Sequence, residues 1–108
     1  MSHSAFIILC MQNDLCHPDG VYARHGLFPR AVTAILPNIV KTTEFCLAAE
    51  IPVFACMLSV ITDGKDQVRG MGLIKQVRPF LEKEGFRNNT WGYELLAEIP
   101  PVNYKMRQ

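Results

Sequence analysis

The sequence predicts an α/β fold built on a parallel sheet, and three observations carry that prediction. Residues 5–11 (AFIILCM) and 52–58 (PVFACML) are unbroken apolar runs without polar alternation, as strands buried on both faces of a parallel sheet are. One amphipathic stretch of helical period lies between them. A long polar segment follows the first run, where a parallel sheet of this class keeps its site. Strand, helix, strand in that order is a βαβ unit, right-handed in nearly all known cases.

Each element has its own local reason. Residues 12–26 (QNDLCHPDGVYARHG) turn abruptly polar, and His-Pro-Asp-Gly at 17–20 is a turn signal: Pro presets φ, and Gly accepts a positive φ. Pro37 suits a first helical position. From Leu36 onward, Ile39, Val40, Thr43, Cys46 and Leu47 fall on one face, so a helix is expected over 38–49. It should end near Glu50, because Pro52 disfavours helical geometry at Ile51. Residues 59–72 read as a mixed loop and 73–84 as a helix bent at Pro79. Residues 85–90 read as a loop and 91–99 as a short helix closed by Pro100 and Pro101. A third strand is expected over 102–106. No crossover helix follows it, so residues 1–108 read as a single domain incomplete at its C-terminal end, as if truncated.

Composition narrows the class. Of 108 residues, 49% are hydrophobic and 19% charged, which suits a folded globular chain. The net charge of +1 gives no electrostatic case for nucleic acid or an anionic membrane surface. No apolar run approaches the ~20 residues of a membrane-spanning helix, and the first residues carry no signal-peptide pattern. The four cysteines, Cys10, Cys16, Cys46 and Cys56, are irregularly spaced, and three lie in apolar runs. Reduced thiols in a cytoplasmic protein are therefore expected.

The run FIILCMQNDLCHPDG resembles the opening of the isochorismatase-like cysteine hydrolases, a superfamily of nicotinamidases, isochorismatases and carbamoyl or ureido amide hydrolases. Their Asp-x-Gln-x-Asp-Phe corresponds here to Cys10-Met11-Gln12-Asn13-Asp14-Leu15, followed by Pro18-Asp19-Gly20. LAAEIPVFAC resembles the family's helix into its second strand. WGYEL and Lys105-Met106-Arg107 resemble its short helix and the strand bearing its catalytic lysine.

The resemblance implies a Rossmann-like three-layer fold. It also implies a hydrolase acting on a C–N bond of a small amide or ureido compound, or on a vinyl ether. In the family an Asp acts as base, a Lys stabilises developing charge, and a Cys attacks the amide carbon as thiolate, which needs a base or a positive neighbour. Here the base position is Cys10, the lysine is Lys105, and the nucleophile's position lies beyond Gln108. A thiol is a poor substitute for a carboxylate base, so this chain is expected to be inactive by itself. Its alternative is a non-catalytic homologue or fragment that works by association.

The residues themselves leave several readings open. Cys10 is either a reactive thiol at the base position or a buried structural Cys. Asp14 is either a displaced base or the closure of an Asx-turn. Gln12 is either a substrate contact or a side chain that fixes the loop. Trp91 either walls a substrate pocket or packs. Lys105 is either catalytic or a strand-edge lysine that resists pairing. Cys16 and His17 are adjacent, which rarely makes two side chains meet.

No cofactor is expected. No metal site is expected either: residues 59–72 contain Asp63 and Asp66 but no His, whereas the family's nicotinamidases carry an Asp with two His there. The expected partners are a small-molecule substrate, should the chain act, and further copies of itself. An open sheet edge and an uncovered apolar face, with Phe6, Ile8, Phe54 and Cys56 on the strands concerned, point to a homo-oligomer packed face to face.

Overall fold

The computed structural model describes residues 3–62, 68–69 and 71–107; of residues 62, 68, 69 and 104–107 it describes the backbone. In chain order the elements are β1 (Phe6–Leu9), α1 (Asn13–Cys16), α2 (Val21–Arg24), α3 (Ala31–Ala48), β2 (Val53–Met57), β3 (Ile61–Thr62), β4 (Val68–Arg69), α4 (Ile74–Val77) and β5 (Tyr104–Arg107). Two 3₁₀ turns, Pro79–Glu82 and Trp91–Tyr93, lie between α4 and β5.

The expected βαβ unit is present as β1–α3–β2. Phe6 to Leu9 pair in parallel with Val53 to Cys56, and β5 pairs in parallel on the other side of β2, giving the order β1-β2-β5. The fold is therefore α/β with a parallel sheet. β3 and β4 form a separate antiparallel ribbon in the segment read as a loop. Asp63 and Asp66 lie outside the described residues.

α3 begins about two turns earlier than Pro37 suggested, and Pro37 sits inside it. Ala31, Val32, Ala34, Ile35 and Leu36 extend the helix upstream, while Pro37 withholds only the N–H that the Thr33 carbonyl would have accepted. The far end is as expected. Glu50 turns left-handed at φ 60°, the Ile51 N–H donates to the Cys46 carbonyl at 2.8 Å, and the Glu50 N–H donates to Leu47. That is a Schellman ending, just before Pro52.

Side chains alternate along a strand, and the two faces of this sheet differ. Phe6 and Ile8 share a face with Val53, Ala55 and Met57. There Ile8 and Val53 join Val32 and Cys46 of α3 in the main core, with Leu36, Ile39 and Leu47 packed against it. Ile7 and Leu9 share the other face with Phe54 and Cys56. Ile7 is 54% and Leu9 61% exposed, while Phe54 and Cys56 are half-buried. Burial on both faces, expected from the unbroken run, therefore fails for β1. Of the residues expected on an uncovered face, Ile8 is buried and Phe6 half-buried beneath α3. The cause is architectural: α3 is the one long crossover helix among the described residues, and it can cover only one side.

Among the described residues, the chain between β2 and β5 supplies no second long helix. Pro79 splits the expected 73–84 helix into α4 and a 3₁₀ turn. The expected 91–99 helix is only a 3₁₀ turn. Beyond it Leu95 bridges Gln12, and the Leu96 N–H donates to the Met11 carbonyl at 3.0 Å, so tertiary bonds win over helix formation. These segments close a second core of Val21, Val60, Leu81 and Phe86. Fully burying a side chain such as Leu81 or Phe86 contributes about 1.5–3 kcal/mol. Among the described residues no helix is long and apolar enough to cross a membrane.

Candidate functional site

β1 stops because Cys10 adopts a left-handed φ of 56°, uncommon for a residue with a Cβ. Its N–H still donates to the Cys56 carbonyl at 2.9 Å, so the reversal follows the last sheet bond directly. The chain then enters α1, and residues 12–14 of this turn form a buried polar knot.

Gln12 is fully buried and makes three bonds. Its Nε2 donates to the carbonyls of Leu58 and Tyr93, each at 2.9 Å, and its Oε1 accepts the Leu58 N–H at 2.8 Å. Both amide hydrogens are thus committed to backbone, and Gln12 ties the ends of β1 and β2 to the 91–93 turn. Asn13, which the sequence reading did not single out, donates from Nδ2 to the Trp91 carbonyl at 2.8 Å. Asp14 is 5% exposed. Its Oδ1 accepts the Val21 N–H at 3.2 Å and its Oδ2 the Phe86 N–H at 2.8 Å. Those partners are seven and seventy-two residues away, so Asp14 closes no Asx-turn. Instead it fastens α2 and the 85–90 loop to the end of β1.

Two glycines make this knot possible. A Cβ on Gly92 would strike the Asp14 carboxylate, and one on Gly20 would strike the Asn13 backbone. Gly92, inside Trp-Gly-Tyr, is the signal that could have revealed the close approach from sequence.

The thiols near the knot are held in the protonated form. Burial pushes the Cys10 thiol up, the neighbouring Cys56 adds to this, and a backbone hydrogen bond from Leu58 opposes it. Cys16 is buried, with Sγ 3.7 Å from the Cys10 carbonyl oxygen and 3.8 Å from the Met11 sulfur. Burial, then the proximity of Cys10, pushes its thiol up to about 11. His17 turns away from it. The His17 Nδ1 accepts the Asp19 N–H at 3.0 Å, and its ring meets Trp91 edge-on at 4.9 Å. Trp91 is half exposed beside it and contributes its carbonyl to the knot. The structure therefore brings Cys10, Gln12, Asp14 and the Trp91 backbone together, and keeps Cys16 and His17 from pairing. Lys105 stands opposite Ala55 in the β2–β5 register; its side chain lies outside the described residues. Among the described residues no three His, Cys, Asp or Glu side chains come together as metal ligands.

A second feature lies on the helix side. A groove of about 770 Å³ runs along α3, with Val32, Leu36, Pro37 and Val40 on one wall and Pro18 and Leu96 on the other. Lys41, Glu44 and Glu98 line its rim. Nothing in the sequence signals this groove, because the residues of its two walls are 14 or more positions apart along the chain.

No protein-family model matches the chain, and no curated protein sequence is similar to it. Among solved structures, the chain is similar to a cysteine hydrolase from Pseudomonas syringae pv. phaseolicola 1448A, at TM-score 0.71 and 21% identity, over 96% of this chain and 44% of that one. It is also similar to an isochorismatase-like hydrolase from Alkaliphilus metalliredigens, at TM-score 0.70 and 19% identity, over 99% of this chain and 52% of that one. The chain shares the fold of these isochorismatase-like proteins and spans about half their length.

Proposed function

We propose that this chain forms the β1 side of an isochorismatase-like hydrolase site, for a C–N bond in a small amide or ureido compound or for a vinyl ether, and does not turn such compounds over by itself. The observation that carries the reading is the polar knot after β1, built on the stretch that resembles the family's opening motif and set at the C-terminal end of a parallel strand, where α/β sheets bind ligands. Cys10 occupies the family's base position. Its raised thiol is a poor base near neutral pH, and Asp14 holds two backbone N–H groups with its carboxylate oxygens. Neither is poised to take a proton from an attacking group. The setting proposed is cytoplasmic, where thiols stay reduced, with a small molecule as partner.

The second reading, a non-catalytic homologue acting by association, is favoured by the same two saturated or raised groups. Two measurements on the chain separate these readings. Ammonia or product release is followed with nicotinamide, ureido acids, biuret and isochorismate, and protection of Cys10 from alkylation is followed with the same compounds. Protection without turnover is expected. Turnover lost in Cys10→Ala or Cys16→Ala overturns the inactivity. Absence of both protection and turnover removes the hydrolase reading and leaves association.

A further inference from the structure

We infer that Cys10 and Cys56 form a dithiol site, closed to an intramolecular disulfide by low-molecular-weight disulfides and reopened by thiols. The inference does not rest on the hydrolase reading, since closure needs no amide and no third residue.

Position selects these two of the four cysteines. Cys46 is buried in the main core, and Cys16 is buried against the Cys10 carbonyl and the Met11 sulfur. Cys10 and Cys56 are half-buried, so a small molecule can reach them. Cys10 follows β1 directly and Cys56 is the penultimate residue of β2. The two therefore meet at the C-terminal end of the parallel sheet, where folds of this class take their ligands.

Backbone geometry brings the pair within bonding reach. The Cys10 N–H donates to the Cys56 carbonyl at 2.9 Å, and hydrogen-bonded neighbouring strands lie about 4.8 Å apart. A disulfide spans α-carbons about 4.4–6.8 Å apart. Strand alternation alone would work against the pair. Cys56 shares the face of Ile7 and Leu9, and an extended residue 10 would turn to the opposite face, with Ile8. The left-handed φ of 56° at Cys10 breaks that alternation. Its thiol instead accepts a hydrogen bond from the backbone of Leu58, two residues beyond Cys56, and lies within electrostatic range of the Cys56 thiol. Glycine would make this turn without strain. The chain keeps a Cβ here at a cost, and strain of that kind gathers at functional positions.

The exchange runs in two steps. The Cys10 thiolate, its proton lost to water, attacks one sulfur of the small disulfide, forms a mixed disulfide and expels one thiolate. The Cys56 thiolate then attacks the Cys10 sulfur and expels the second. The small disulfide is reduced to two thiols, which take up the two protons, and the protein pair is oxidised. Burial holds the Cys10 thiol protonated, which slows the attack. It also leaves the dithiol without the thiolate stabilisation that keeps strongly oxidising pairs reduced. A transient bond of this kind is the usual form of a disulfide in a reducing compartment.

The test incubates the reduced native chain to equilibrium with oxidised glutathione, without denaturant. Products are read by intact mass and by mapping after cleavage at Asp and Glu, which puts each cysteine on its own fragment. Loss of two hydrogens is expected, with the fragment bearing Cys10 joined to that bearing Cys56, and dithiothreitol should reverse it. In Cys56→Ser the product should become a glutathione adduct on Cys10, at least about tenfold more abundant than in the native chain, because the intramolecular capture of the mixed disulfide is lost. Circular dichroism checks that this variant folds, and the native map decides where it does not. A native chain that stays fully reduced, or gains only glutathione adducts, overturns the inference. So does a bond from Cys10 to Cys16, a bond between two copies, or closure seen only in urea.

Discussion

Within nine residues, Ile7 to Leu15, the chain reverses the usual rule of burial. Gln12 and Asp14 are among its most buried side chains, while Ile7 and Leu9 stand more than half exposed. Both facts trace to which neighbours the fold supplies. The polar residues have backbone donors and acceptors brought to them by the 58–60 segment, the 85–86 turn and the 91–93 turn. Burial then costs little, since their hydrogen bonds with water are replaced. Ile7 and Leu9 have no helix over them among the described residues. The burial of Gln12 and Asp14 thus follows from the partners brought to them, and the exposure of Ile7 and Leu9 from the lack of any described element packed over them.

The largest effect expected from breaking this contrast is at Asp14. Asp14→Ala removes both carboxylate oxygens and leaves the Val21 and Phe86 N–H groups unpaired and buried. At roughly 1–3 kcal/mol for each orphaned group, the loss is about 2–6 kcal/mol, comparable to the whole stability of a small domain. Urea unfolding measures it. A loss under about 1 kcal/mol would mean that other acceptors replace the carboxylate.

Next is Gln12. Gln12→Met keeps the volume and removes three hydrogen bonds, leaving the Leu58 N–H and two carbonyls without this partner. About 2–4 kcal/mol is expected from the same urea titration, because carbonyls tolerate loss of one partner better than N–H groups do. An effect near zero would show that water enters the knot freely.

How much of this was legible beforehand divides along the same line. The βαβ unit was readable because its signals are local: two apolar runs, one helical stripe, and Pro52 ending the helix. The polar stretch after β1 was identifiable as the site region for the same reason. What each of its residues does was not, because Asp14 bonds to Phe86 and Gln12 to Tyr93, 72 and 81 residues away. No period in the sequence encodes such pairs. The 91–99 helix was misjudged from the same cause, since the Glu94 carbonyl accepts the Asn13 N–H and the Leu96 N–H donates to the Met11 carbonyl, both in the loop after β1. The one-sided cover of β1 was hidden for a different reason. An unbroken apolar run records what both faces are suited to contact, not which contact these residues provide.

A third, smaller effect concerns Cys16, the thiol beneath the knot. Its folded pKa is about 11 against an ordinary 9.0, so the unfolded chain loses this proton first as pH rises. Fewer protons bound in the unfolded state make stability fall with pH. The contribution of Cys16 is fully present below pH 9 and is lost progressively as pH rises toward 11. By linkage the loss is on the order of 2 kcal/mol. Other groups titrate in the same window, so the quantity to compare is the pH slope of urea stability in the native chain and in Cys16→Ala. The native slope should be the steeper. Equal slopes would mean that the Cys16 thiolate forms as readily in the folded chain.

The smallest stability effect is expected on the open face, and it sharpens the contrast most. Ile7→Ser and Leu9→Ser remove apolar surface that water already reaches, so each should change unfolding stability by no more than about 0.5 kcal/mol. Ile8→Ala, on the same strand but beneath α3, should cost about 2–4 kcal/mol, since it opens a cavity in the main core. Alternation of a few tenths, a few, then a few tenths along three successive residues would be the energetic signature of a sheet covered on one side. The same serine variants should lower the fluorescence of a dye that reports exposed apolar surface, whereas Ile8→Ala should raise it by loosening the core. If Ile7→Ser proves as costly as Ile8→Ala, the second face is already covered in solution, and α3 is not the only layer on this sheet.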